Sequence, residues 1–263
     1  MYPLRKIFKK SVIFSIPILF GVYYTLFVLL QGVEETSFNE AYLKLWERGL
    51  SGIFLVIFML AILEVVLLDE YMLWYEGSFK NIVIRIGYKR FIFQRMIKTF
   101  IKVFLYTLAT HLLLVLSLNI FHDFTFQDDI TTLQHLYFSK HIFINLLTFI
   151  LLSSIGTGFL YMCFYPCMLL IKNKYMMRTL PIIILFISIF ASTIYSPIIY
   201  QFFEYSLLIS TLVLSPLPTS LIEPGGSWYQ YAGVEFFGGI VFYTLLMIVV
   251  LWILRKRGIL YDW

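Results

Sequence analysis

The chain has 263 residues, 60% of them hydrophobic and 13% charged, with a formal net charge of +5 and a mean hydropathy of +0.87. A soluble domain of this length needs far more polar surface to stay in water, so the composition excludes one. Apolar blocks run through almost the whole chain, which points to a lipid bilayer; no nucleic-acid partner is expected.

The sequence predicts an all-α polytopic membrane protein, residues 1–263 forming a single transmembrane domain. A span needs roughly 20 apolar residues to cross ~30 Å of hydrocarbon. Basic residues 1–10 precede the first such block, 12–30, which lacks a small-residue cleavage site and reads as a retained helix. Further spans are expected over 50–68, 99–120 and 142–171. Cys163 and Cys167 lie four apart in the last of these, a spacing suited to packing thiols rather than to a disulfide or metal site. Nearby Ser153, Ser154, Gly156, Thr157 and Gly158 form a small-residue patch suited to helix packing.

Residues 179–217 are too long for one crossing and contain a single charged residue, Glu204. The distribution of basic residues resolves that region. With one crossing at 179–203 and the last at 236–254, the inner segments 1–11, 69–98, 172–178 and 255–263 hold 4, 6, 3 and 3 Lys or Arg, 16 of the chain's 20. A second crossing would carry Arg255, Lys256 and Arg257 outside. Six spans with both termini cytoplasmic follow, leaving 205–230 as a re-entrant or interfacial outer segment between the fifth and sixth. Trp228, Tyr229 and Tyr231 suit the outer aromatic belt.

Familiar catalytic signatures are missing. No Gly is followed by Lys, which removes the P-loop, and no His is followed by Glu, which removes the helical zinc-protease motif. No G-x-S-x-G elbow occurs. Glu34–Glu35 and the His141/Asn145 spacing faintly resemble a glutamate-type intramembrane protease, without the Arg that such a motif carries after its Glu pair. No catalytic residue and no metal ligand set is assigned. The outer stretch 121–141 gathers His122, Asp123, Asp128, Asp129, His135 and His141, in a spacing that a solvated acidic loop explains as well as a divalent metal does. Glu64 is the one carboxylate well inside a span; intramembrane charges are functional candidates, and Glu64 is the one residue assigned to a substrate path.

The inner stretch 69–98 is the most informative. It reads as two short helices, the first capped by Ser78 and ended by Gly87, the second carrying Arg95 and Lys98, with Lys102 beyond, along one face. Such a segment lies on anionic lipid or docks a cytoplasmic partner.

Glu76, Gly77, Ser78, Phe79, Lys80, Asn81 and Ile82, followed by Arg90, Phe91 and Lys98, resemble the inner-loop motif of ABC-2 type exporter permeases (the type V exporter fold). Branches of these export antimicrobial or other amphipathic peptides or confer immunity to them. The motif covers about 25 residues; six spans and a short outer re-entrant element before the last agree with the family's architecture. The resemblance implies a multi-pass permease of the bacterial plasma membrane that is not itself an enzyme. It would pair with a second permease chain, identical or homologous, and with two copies of a cytoplasmic ATP-binding subunit. No cofactor would bind the permease directly; ATP and Mg would sit on the partner. Residues 76–82 would form the coupling element, with Phe79 and Ile82 in an ATPase groove and Glu76 and Lys80 fixing the loop. Aromatics at 19% of the chain suit an amphipathic peptide or lipid-like substrate. Two other classes stay open: a non-ABC scaffold or sensor subunit, and an intramembrane enzyme, which would need a polar site converging within the bilayer.

Overall fold

A computed structural model of the protein describes Phe58 and residues 61–77, 79–121, 142–171, 173, 175–177, 179 and 232–256. The expected span 12–30, all of 179–203 but Thr179, most of 50–60, the outer region 205–230 and the His-rich stretch 122–141 lie outside the described residues. So do Glu34, Glu35 and the side chain of Asn145.

Regular structure among the described residues is entirely helical. A π-helical turn, Leu63–Leu67, runs directly into α1, Leu68–Tyr75; α2 is Lys80–Ile86, α3 Tyr88–Phe121, α4 Ile142–Met168 and α5 Ala232–Lys256. Helices α3 and α5 both pack against α4, which makes α4 the common wall of the bundle. Stretches Tyr88–Leu116 and Leu146–Met168 are each long and apolar enough to cross a membrane.

The expected spans 142–171 and 236–254 correspond closely to α4 and α5. The stretch 69–98 differs. Its second short helix is the opening of α3, a single 34-residue helix. No Gly or Pro occurs between Tyr88 and Phe121, so nothing in the backbone interrupts the hydrogen-bond ladder where lipid-facing sequence begins. The preceding helix likewise continues to Tyr75, seven residues beyond the expected end at 68.

Polarity in the bundle runs inward. Helix α3 exposes Ile101, Leu105, Leu112, Leu113 and Leu116 while burying Thr99, Thr107, Thr110 and His111. Helix α4 exposes Phe143, Ile144, Leu147, Leu151 and Ile155 while burying Ser153, Ser154 and Thr157. A protein in water places these two sets the other way round, because an exposed apolar stripe of this length has no counterpart on ordinary soluble monomers. Small and hydroxylated residues between helices let backbones approach and bond where lipid supplies no water. The small-residue patch acts in this way: a Cβ on Gly158 would stand 3.2 Å from both the ring and the carbonyl oxygen of Phe100 on α3. Cys163 is buried beside Leu160 and Tyr243, joining α4 to α5 as packing volume.

Candidate functional site: a glycine-cornered elbow braced by Glu70

Between α1 and α3 the chain turns two corners, each on a glycine with positive φ. Helix α1 closes with Glu76 N–H donating to Met72 O at 2.9 Å, and Gly77 at φ +73° turns the chain away. Helix α2 closes with Gly87 N–H donating to Val83 O at 2.7 Å. Gly87 has φ 77° and ψ 153°, a region that side chains with a Cβ scarcely enter. Its own carbonyl then accepts from Phe91 N–H at 3.1 Å, so α3 starts on the glycine that ended α2. The expectation of a helix-ending Gly87 is met. The expected cap at Ser78 falls outside the described residues; the N-cap position of α2 is Phe79, with no side-chain cap bond.

The motif residues divide by helical face. Phe79, Ile82, Val83 and Ile86 recur at i, i+3, i+4 and i+7, so α2 turns them together against the bundle. Phe79 is only 7% exposed, stacked on Trp74 with ring centroids 3.9 Å apart and tilted against Phe91 at 6.2 Å. Ile82 packs against the same core. Within this chain Phe79 is thus buried and Ile82 half-buried against the core, turned away from the outer face of α2. What α2 presents outward is Ile84, 82% exposed, with Lys80 and Arg85 beside it. Glu76 is exposed at the first corner, and the side chain of Asn81 is not among those described.

Glu70, to which sequence reading assigned no role, holds the elbow together. Its side chain is 6% exposed and accepts from Arg95 Nη1 at 2.8 Å on one oxygen and from Lys102 Nζ at 2.8 Å on the other. Both cations belong to α3, seven residues apart. Two helical turns bring them within about 20° of one another, whereas Lys98, three residues on from Arg95, points aside and is exposed. The Arg95 guanidinium also lies over the Phe91 ring, 5.3 Å from its centroid. A second tie runs from Tyr71, whose hydroxyl donates to the carbonyl of Ile171 at 3.2 Å, just past the end of α4. Burial, and then Tyr75 beside it, raise the Tyr71 pKa, so the phenol stays a neutral donor. The elbow is thus clamped to both α3 and α4.

The signal for Glu70 was its phase. Once α1 is known to run past Leu68, Glu70 falls three and four residues beyond Leu67 and Val66, both buried. A carboxylate on a buried face requires a cation. The one candidate assigned to a substrate path, Glu64, stands half-buried in the π turn, six residues before Glu70. Wide turns of this kind concentrate at functional positions.

No family model, curated protein or solved structure matches this chain.

Deeper in the bundle, Ser153 Oγ and His111 Nε2 lie 2.8 Å apart, with the His111 ring edge-on to Phe149 at 6.0 Å. This is a polar site converging between α3 and α4, the feature an intramembrane enzyme would need. Its chemistry is poor for that role. Ser153 Oγ also lies 3.1 Å from Ile150 O, and one hydroxyl proton cannot serve both acceptors. Donation to the carbonyl makes His111 the donor to Ser153, the reverse of a general base. Both side chains are 0% exposed, so neither water nor substrate reaches them. The pair is an interhelical tie. Thr99 and Thr107, on the same ridge of α3, bury hydroxyl oxygens that have no hydrogen-bond partner among the described residues. Among the described residues no group of three His, Cys, Asp or Glu could hold a metal ion.

Proposed function

We propose that this chain is the membrane-spanning permease subunit of an ABC exporter, moving a hydrophobic or amphipathic substrate outward under the drive of a separate ATPase. The membrane placement rests on the inward polarity of α3 and α4. The six-span arrangement, with both termini cytoplasmic, rests on the distribution of Lys and Arg along the sequence.

The observation that carries the coupling role is the elbow. A short helix bearing Ile84 on its outer face, with Lys80 and Arg85, stands between two glycine corners, and α1 just before it is tied by Glu70 to a helix long enough to span. In this reading a push on α2 reaches α1 and α3 through Phe79, packed on Trp74 and Phe91, and the Glu70 and Tyr71 ties carry it on to α3 and α4. An ATPase would drive transport through such an element only if its contacts differ between nucleotide states. With Phe79 turned inward, Ile84 becomes the apolar contact offered to the ATPase, while Glu76 and Gly77 set the angle at which α2 is presented.

The test is affinity purification of the tagged chain from native membranes in mild detergent, with identification of the co-purifying proteins. A stoichiometric soluble subunit bearing a P-loop is expected, lost on Ile84→Glu while the chain remains in the membrane fraction. A chain that purifies alone, with no associated nucleotide hydrolysis, would overturn the proposal and leave the scaffold or sensor reading in its place.

A further inference from the structure

An apolar cavity of about 620 Å³ opens between the first three turns of α3 and the second half of α5. Both helices pack against α4, whose Met162 lines the floor. Phe93, 63% exposed, and Ile97, 39% exposed, stand along its open side. This α3 wall belongs to the inner segment 69–98, and Lys98, just past Ile97, is exposed as well. An open apolar surface there faces water rather than hydrocarbon, and such a surface marks a place where protein docks. Arg90, exposed, lines the mouth. Leu251 of α5 also lines the cavity, and one turn further on come Arg255 and Lys256, both exposed.

We infer that this groove docks the segment that follows α5, residues 257–263, with Ile259, Tyr261 and Trp263 laid into it and Asp262 paired with Arg90. That segment lies outside the described residues. Charge selects it as the occupant. Of the inner segments 1–11, 172–178 and 255–263, only the last carries an acidic residue, Asp262. The other two would bring four and three cations to a mouth that is already basic. Direction agrees. Gly258 comes two residues after the end of α5, the place of a helix-ending glycine that reverses the chain. At such a corner the next residue, Ile259, packs back on the residue five before it, and that residue is the buried Leu254. Length agrees too. Lys256 lies five residues beyond Leu251, about 7.5 Å at helical rise. Residues 259–263 reach about 17 Å when extended. In that form Ile259, Tyr261 and Trp263 share one face and Asp262 takes the other, so the apolar side chains enter while the carboxylate stays at the rim.

Docked there, the segment joins the end of α5 to the first turns of α3, immediately after the Gly87 corner, and so fastens the elbow to a third helix of the bundle. The inference rests on the inner placement of 69–98 and 255–263 proposed above and not on the exporter role.

The test uses the full chain in inside-out membrane vesicles, with Ile97→Cys as reporter and a membrane-impermeant maleimide, read on the peptide that carries residue 97. Only the undocked form reacts, so the rate follows the docking equilibrium. Loss of an exposed ion pair shifts such an equilibrium by about two- to five-fold. Asp262→Asn is therefore expected to raise the rate by that factor, and the exchanged pair R90D/D262R to bring it back. Independently of the reporter, a benzophenone side chain in place of Tyr261 is expected to cross-link, within one chain, to peptides covering 86–97 and 247–251. Cross-links to lipid alone would place the segment in the membrane interface and overturn the inference, and cross-links to a second copy would overturn it equally. A reporter that reacts only in right-side-out vesicles removes the inner placement itself. One that reacts from the inside, at a rate that Asp262→Asn leaves unmoved, removes only the docking.

Discussion

Two regions of the molecule spend polar groups in different ways. At the α3–α4 interface they are small, neutral and bonded over short range: Ser154 Oγ donates to Ile150 O at 2.7 Å and Thr157 Oγ1 to Ser153 O at 2.7 Å, both within α4. At the elbow a full carboxylate is buried and, among the described residues, satisfied by cations 25 and 32 residues away in sequence. Apart from the Ser153–His111 tie, the bonded groups of the first arrangement keep their own helix for a partner, so helices can slide without orphaning a charge. The second fixes a single relative position of α1 and α3, because displacement strips Glu70 of both partners at once. Where a segment has to transmit a push, the long-range ionic brace is the appropriate device.

Glu70→Ala is the sharpest way to break that contrast. It leaves Arg95, 19% exposed, without its carboxylate, and Lys102, 39% exposed, without one too. Removing one member of a buried pair costs about 3–5 kcal/mol; solvent screening at Lys102 brings the expected loss to about 3 kcal/mol. Thermal unfolding in detergent reads this directly. A triple Glu70→Met, Arg95→Met, Lys102→Met chain is expected to recover most of the stability, since an apolar replacement leaves no orphaned charge. If Glu70→Ala is neutral, or the triple variant is no better, the brace is incidental.

Gly158→Val tests the other region. The 3.2 Å approach to Phe100 includes a backbone oxygen, which cannot move aside as a ring can. Overpacking of this kind costs about 2 kcal/mol. Gly158→Ala is expected to cost less, because the gain of about 1 kcal/mol in helix propensity offsets part of the strain. Equal stability of the Val variant would show that α3 and α4 part easily at this level.

Gly87→Ala separates strain from crowding. Nothing lies within 4 Å of the place a Cβ would occupy, so no clash is expected. The backbone conformation alone should cost about 1–2 kcal/mol. The expected signature is lower stability with the α3–α4 contacts unchanged, read by hydrogen exchange that rises at 80–91 and stays constant in 146–161. Exchange rising equally throughout would contradict a local elbow.

The sequence made α4 and α5 legible because each is an apolar run of span length ending near basic residues. It made Gly87 legible because glycine is the residue that ends helices in left-handed space. It misjudged 69–98 for one physical reason: an amphipathic, basic stretch was expected to end where the apolar stretch began, yet no helix breaker stands there and α3 runs through. That extension is what carries Arg95 and Lys102 to Glu70, so the site could not be found while the helices were cut short. The inward direction of Phe79 was not legible in the motif, which gives identities and not directions; the inward face emerges only when Ile82, Val83 and Ile86 are counted with it. The pairing of His111 with Ser153, 42 residues apart, has no local signal at all.

That pair supplies the smallest effect and the finest discrimination. Ser153→Ala removes the Oγ and leaves His111 Nε2 without that contact in a site closed to water. Interhelical hydrogen bonds in membranes average about 0.6 kcal/mol, because polar groups find other partners when the helices separate. A loss of about 0.6–1 kcal/mol is therefore expected, below that of Glu70→Ala by a factor of at least three. His111→Phe tests the alternative that the imidazole contributes mainly volume. It removes the bond, keeps an aromatic ring against Phe149, and leaves Ser153 free to donate to Ile150 O. If the tie is a hydrogen bond, Ser153→Ala and His111→Phe should each cost something, and the double variant should cost less than their sum. Additive losses would mean the two side chains do not interact in the folded bundle. A loss from Ser153→Ala as large as that from Glu70→Ala would erase the distinction between a tolerant interface at depth and a rigid brace at the elbow.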